Sequence, residues 1–324
     1  MDSVSQLVLG ASVSVAVMGR RVPLWQAAAV GAACGTLPDL DVFLDHGDAI
    51  RNMTLHRTES HALLYLTLIS PLVAWLVAGL FRRDVKWQAW WPAIWLAFIT
   101  HPLLDLMTVY GTQLGLPLTD HPYAVGSIYI VDPLYTLPML ICLAVALWRR
   151  GEQGLRWSRL GLAISTLYLA WSMVIQGVAS WQIKQSLAAQ AIPADKILVT
   201  PTAFNTLVWR SVIITPERYG EAYWSLLSPG RSLKVNWRPR HPELFEQLKG
   251  DWYAERVAWF SHGFYAMGES NGQITISDLR MGEGGHYTFT FNLGTPQQPA
   301  THPERVPSSR PALSVSFTAL KERL

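Results

Sequence analysis

A chain of 324 residues, half of them hydrophobic and only 15% charged, is more apolar than an ordinary soluble protein. Its 26 Lys and Arg against 23 Asp and Glu leave a formal charge of +3, too small a surplus to follow a phosphate backbone, so nucleic acid is not expected as a partner. The two cysteines, Cys34 and Cys142, lie inside apolar runs and give neither a disulfide framework nor a metal-ligand spacing.

Taken in chain order, the apolar excess falls in residues 1–183, whereas 184–324 carries charges, prolines and alternating stretches. The amino terminus lacks the basic leader and small-residue cleavage pattern of a removable signal, so insertion is expected to rest on the first apolar runs. Those runs, Val4–Met18 and Val22–Leu37, are short and rich in Ala and Gly, which suits tightly packed spans or a shallow hairpin. Four further runs, Ala62–Phe81, Trp87–Met107, Ile128–Trp148 and Leu160–Trp181, each have the roughly 20 apolar residues that cross about 30 Å of hydrocarbon. The expectation is an α-helical membrane bundle of about six transmembrane helices, four at the least. Pro71, Pro133 and Pro138 fall within these runs and call for neighbouring helices to satisfy the freed backbone groups.

Lys and Arg mark the cytoplasmic loops. Arg20 and Arg21, then Arg82, Arg83 and Lys86, then Arg149, Arg150, Arg156 and Arg159 follow the first, third and fifth runs. Trp87, Trp90, Trp91 and Trp148 at the same ends suit an interfacial aromatic belt. The loops 38–60 and 108–127, with only Arg51 and Arg57 between them, are therefore assigned to the non-cytoplasmic side, together with everything after residue 183. That second part alternates over Ile197–Thr200, Thr206–Ile214, Tyr223–Leu226, Gln273–Ile276 and Tyr287–Asn292 and reads as a small, mostly antiparallel β domain. The Pro- and Ser-rich stretch Gln297–Pro311 is expected to be a mobile tail.

Metal-ligand side chains gather at the non-cytoplasmic ends. His101 and Asp105, four residues apart, share one helix face; ionisable groups at such a place usually face a cavity, a partner or a site, although a His bonded to a carboxylate would also satisfy both. His56 and His61 flank Arg57 and Glu59, a spacing that alone is equally natural in a hydrated loop. Asp39 and Asp41 follow Pro38, where a carboxylate pair can flank metal ions or merely shape a turn. Asp132 before Pro133 could orient a ligand histidine or cap the span. Asp45, His46, Asp48, Asp120 and His121 read first as solvated loop residues, and His262, Asp278 and Arg280 as surface or core residues of the β part. No nucleophile elbow, phosphate loop, dinucleotide fingerprint or His-Glu-x-x-His helix is present.

These clusters in this order, on a multi-span half beginning Met1-Asp2-Ser3 with Gln6 and Gly10, resemble the family of LexA-regulated, membrane-bound metal-dependent hydrolases. Tyr110-Gly111-Thr112 and Asp132-Pro133-Leu134-Tyr135 add to the resemblance, and Asp278-Leu279-Arg280-Met281-Gly282 is similar to the extension of one branch. Thr58 stands where the family usually has Gly, Glu59 adds an acid, and Ala62 replaces a Ser. The resemblance implies a site of Asp39, Asp41, His56, His61, His101 and Asp105 holding one or two divalent ions.

Zinc is the first choice of ion, with manganese or magnesium as alternatives. The expected activity is hydrolysis of an ester or phosphodiester in a lipid or lipid-linked substrate at the outer face of the bacterial inner membrane, with Arg57 holding an anionic group and Glu59 or a spare Asp carrying protons. A structural metal clamp beside a partner-binding β domain is the rival reading, and metal transport a third that needs polar residues deeper in the spans.

Overall fold

The computed structural model describes residues 1–81 and 85–307. Arg82 and Arg83 of the second basic loop, and the tail from residue 308 onward, lie outside the described residues. The chain divides into two compact units, one of residues 1–43, 57–173 and 203–205, the other of 44–56, 174–202 and 206–324.

The first unit is helical. Its helices are α1 (Ser3–Met18), α2 (Leu24–Thr36), α4 (Leu63–Leu80), α5 (Trp87–Leu106), α6 (Pro133–Arg149) and the first part of α7 (Gly151–Ala189); a seven-residue α3 (Ala49–Leu55) belongs to the second unit. The six apolar runs all fold as helices, but among the described residues only α4 and α7 are both long and apolar enough to be candidate membrane spans. The six-span expectation is therefore only partly met. At 1.5 Å per residue, the 16 residues of α1 and 13 of α2 reach about 24 and 20 Å, short of a hydrocarbon layer. Polar Gln88, Thr100, His101 and Asp105 interrupt the apolar character of α5, and Asp132 and Pro133 hold the start of α6 to a later residue than the apolar run suggests.

Local chemistry fixes the ends of these helices. Asp2 caps α1 by accepting from the Val4 and Ser5 amides at 3.1 and 3.0 Å, and Asp132 caps α6 by accepting from Leu134 and Tyr135 at 2.9 and 3.3 Å. Between α1 and α2 the backbones approach so closely that a Cβ at Gly10 would lie 2.2 Å from the Gly31 carbonyl, and one at Gly35 2.6 Å from the Gln6 carbonyl. Gly31 and Gly35, four apart, thus form a small-residue face that admits α1. Of the tryptophans expected at the interface, Trp91 and Trp148 are exposed, but Trp90 is buried in the core with Ile94, Phe98 and Leu104.

The second unit carries two antiparallel sheets. The first runs β1 (Lys196–Pro201), β2 (Val208–Ile214), β3 (Arg218–Ser225), β4 (Asn236–Pro239). After α8 (Pro242–Gln247) and α9 (Trp252–Phe260), the second runs β5 (Tyr265–Ser270), β6 (Gln273–Glu283), β7 (His286–Thr295), β8 (Gln298–Pro299). Every residue of β2 is buried because both faces are covered: Trp209 and Ile213 pack with Ile175, Ala179 and Ile183 of α7, while Val212 and Ile214 pack with Phe264, Leu279 and Tyr287. Arg210, caught on the second face, donates to Glu221 on β3 and to the Leu279 carbonyl at 2.9 Å. Residues 298–306, where composition suggests a mobile segment, return along β7: Ala300 N–H donates to Leu293 O at 2.9 Å and Val306 N–H to Thr290 O at 2.8 Å.

Candidate metal centre

Helix α2 ends at Thr36, and the chain turns through a 3-10 segment, Pro38–Phe43, that brings Asp39 to the end of the helical bundle. A second 3-10 turn, Glu59–His61, immediately precedes α4 and delivers His61; the last turns of α5 deliver His101 and Asp105 from one face. One donor atom from each of Asp39, His61, His101 and Asp105 lies within 4.8 Å of all the others, and this group could hold a metal ion.

The separations are informative. His61 Nε2 is 3.1 Å from His101 Nε2. Asp39 Oδ1 lies 3.5 and 3.4 Å from those two nitrogens, and Asp105 Oδ2 3.3 and 3.4 Å. Four ligands about 2.0–2.1 Å from a tetrahedral zinc stand about 3.3–3.4 Å apart, so these five edges have the size of a four-coordinate shell.

The protons point the same way. His101 Nδ1 sits 2.6 Å from the Gly35 carbonyl, which can only accept, so Nδ1 carries the hydrogen and a neutral ring turns its Nε2 lone pair into the cluster. His61 Nδ1 is 2.8 Å from Ser60 Oγ, and Ser60 Oγ donates to Asp41 Oδ2 at 2.6 Å, so the hydroxyl accepts from Nδ1 and again leaves Nε2 as the acceptor. Four acceptors therefore converge in a buried space. Asp105 Oδ2, completely buried, has no hydrogen-bond partner among the described residues. A cation, either a metal or added protons, is what such an arrangement requires.

Arg57 stands behind Asp105. Its Nη2 is 3.1 Å from Asp105 Oδ1, an oxygen that also accepts from the Met1 amino group, and its guanidinium lies 5.0 Å from the centre of the Tyr110 ring. The side chain is buried, yet Nε and Nη1 have no partner among the described residues. Arg57 also adopts a positive φ of 66°, a conformation costing a non-glycine residue about 1–3 kcal/mol. Two bonds hold it there: Arg57 N–H to Asp41 Oδ2 at 2.9 Å and Gln113 N–H to Arg57 O at 3.0 Å.

The other candidates are placed as follows. Asp41 is not one of the four converging groups; it bonds Ser60 and the Arg57 amide. His56, half-buried at the end of α3, is likewise outside the four. Glu59 is exposed. Asp132, buried, caps α6 and accepts from the Tyr168 hydroxyl at 2.9 Å. Asp278 is a core residue, clasping Arg280 at 2.6 Å on β6.

Sequence reasoning did not find four contributors: the Gly35 carbonyl, the Ser60 hydroxyl, the Met1 amino group, and Gln6, whose Nε2 donates to His101 O at 3.1 Å. Ser60 had a signal, being a hydroxyl residue next to a candidate ligand, and Met1 and Gln6 stood out only as residues that carry the resemblance.

Comparison with known proteins agrees on the membrane. An uncharacterized protein, YfhP, of Bacillus subtilis (strain 168) is 26% identical over 190 residues, which cover 56% of this chain and 54% of that protein, so the chain spans about half the length of this relative. No solved structure matches. A family model described as YdjM inner membrane protein matches residues 1–179, the stretch that contains all four converging side chains. With more than half of its length so matched, the chain belongs to the YdjM inner membrane protein family.

Proposed function

We propose that this protein is a metal-dependent hydrolase of the inner membrane that cleaves an ester or phosphodiester of a lipid or lipid-linked substrate at the non-cytoplasmic face. The observation that carries this reading is the convergence of four acceptors, three of them buried, beside a guanidinium with two nitrogens to spare. His61 and His101, through Nε2, with Asp39 and Asp105 would hold the divalent ion, zinc before manganese or magnesium. When bound, such an ion polarises a scissile group and acidifies a water. Arg57 Nε and Nη1 would bind an anionic oxygen and neutralise charge that grows on it. Substrate would reach the cluster on the Asp39 side, since Asp39, 16% exposed, is the most open of the four. Glu59, on the exposed side of the turn that presents His61, would exchange the proton with solvent.

The sidedness rests on charge. Arg20, in the turn after α1, pairs with Glu152 at the start of α7 at 2.8 Å, so two of the basic turns share one end of the bundle. The excess of Lys and Arg there favours the cytoplasmic side and six crossings in all.

One observation favours the structural-clamp reading: four protein ligands can close a tetrahedral shell and leave no place for water. The two are separated by purifying the protein in detergent, measuring metal per chain, and assaying esters and phosphodiesters with the native protein, His101→Ala and Asp39→Asn. The hydrolase reading expects metal and turnover to be lost together. Full metal content in both variants would sink the site, and metal without turnover of any substrate would leave the clamp. An alkaline phosphatase fused after Trp181 should be active; an inactive fusion overturns the orientation.

A further inference from the structure

We infer that the mouth of the Asp39–His61–His101–Asp105 cluster is seated in lipid, with the turn Pro38–Phe43 and the loop 115–119 inserting apolar side chains into the headgroup and acyl boundary of the bilayer. The turn that directs Asp39 inward directs Leu40, Val42 and Phe43 outward, and Phe43 is 82% exposed. In water such a turn would be expected to show polar side chains. The second segment behaves alike. Leu118 is 90% exposed, and its loop is tied to the ligand-bearing stretch by Gln113 N–H to Arg57 O at 3.0 Å and Leu63 N–H to Leu114 O at 3.1 Å.

Lipid is the occupant to which the surroundings point. Helix α4, a candidate membrane span, begins two residues after His61 and exposes Leu64, Leu68, Leu72 and Leu76 at four-residue intervals, so an apolar face runs from the helix to the level of the site. Neither segment contains Lys or Arg, and exposed Tyr123 and Tyr129 beyond the loop are the residue type that settles at headgroup depth. Interfacial segments bury their apolar side about 5–10 Å into the headgroup and acyl boundary, the zone that holds the ester and phosphate groups of lipids. Resting on the hydrolase reading, this placement makes the substrate a membrane lipid that enters sideways and not a water-borne molecule.

The test is site-directed spin labelling of the full chain in bilayer nanodiscs. Cys34 and Cys142, both buried, are replaced by alanine, and single labels are placed by Phe43→Cys, Val42→Cys and Leu118→Cys, with Leu72→Cys as the lipid reference and Lys249→Cys as the aqueous one. Collision with oxygen relative to a chelated nickel(II) complex should be several-fold higher at 42, 43 and 118 than at 249, approaching the value at 72. Values equal to that at 249 would overturn the proposal, whether because the segments lie in water or because a second copy or another protein covers them. Metal content measured on the same samples keeps the two readings apart, since lipid-seated labels on a chain that binds no metal would defeat the hydrolase alone.

Discussion

Ser60→Ala isolates the hydroxyl link that orients His61. In the native protein the path runs from His61 Nδ1 to Ser60 Oγ over 2.8 Å and on to Asp41 Oδ2 over 2.6 Å. Removing the hydroxyl deletes both bonds but no ligand atom. Loss of such an orienting partner generally lowers metal affinity 10- to 100-fold. Here the loss should fall at the lower end, because His61 Nδ1 already lies 3.6 Å from Asp41 Oδ2, and a shift of under about 1 Å would let them bond directly. The expected change is about tenfold in zinc affinity, about 1.4 kcal/mol. Adding Asp41→Asn takes away the substitute acceptor's charge and should carry the loss towards 100-fold, whereas Ser60→Thr retains a hydroxyl and should bind as the native protein does. The assay is competition with a chromophoric chelator in detergent. Unchanged affinity in the double variant, while His101→Ala loses its metal, would refute the hydroxyl relay and with it the assignment of Nε2 as the ligand atom.

Gly35→Ala drives a methyl against the Gln6 carbonyl and Gly10 Cα, 2.6 and 3.0 Å away, and neither backbone group can swing aside; a lowered thermal midpoint, about 1–3 kcal/mol of stability, and weaker metal binding should result. Gly79→Ala in α4, which meets nothing within 4 Å, is the control and should be neutral or up to about 1 kcal/mol stabilising in the same thermal scan. Arg57→Lys keeps a positive charge beside Asp105 but gives up the two spare nitrogens, so metal content should hold while kcat/KM on an anionic substrate falls about 10- to 100-fold; an equal loss on a neutral ester would count against the anion-binding role. In the β unit, burial opposes the charge on Glu221, but the Arg210 guanidinium, the Gly284 amide and the Tyr287 hydroxyl outweigh it and depress the pKa. A depressed carboxyl stabilises the fold above its unfolded value of about 4.3 and ceases to do so as pH falls through the folded one, so acid should loosen this unit first on the face where Val212, Tyr219 and Tyr287 pack. Glu221→Gln should abolish that acid dependence and cost about 3–5 kcal/mol by stranding Arg210, as followed by denaturant melts at pH 4 and 7.

Side-chain spacing made much of this legible in advance. His101 and Asp105 shared a face because a helix repeats every 3.6 residues, and both do face His61. The alternating stretches around Ile197, Thr206, Tyr223, Gln273 and Tyr287 became β1, β2, β3, β6 and β7, while β4 and β5, short and poorly alternating, did not stand out. Spacing could not tell Asp39 from Asp41, because which of two carboxylates on one turn points inward depends on where Ser60 and the Arg57 amide lie. The Gly35 carbonyl was invisible since every residue has one; only the helix contact at Gly10 and Gly31 brings it to His101. Apolar length alone did not separate α4 and α7, the candidate spans among the described residues, from α5, which carries polar Gln88, Thr100, His101 and Asp105.

That an imidazole is oriented by a main-chain oxygen has a practical consequence for anyone extracting this protein. The carbonyl of residue 35 belongs to the stretch of α2 against which α1 is pressed at Gly10, Gly31 and Gly35. Short-chain, aggressive amphiphiles that splay the pair would release the ring before any helix melts. A preparation could then show full helicity by circular dichroism, run as one symmetric peak on gel filtration and still be inert, so the choice of amphiphile belongs among the variables of the chemistry itself.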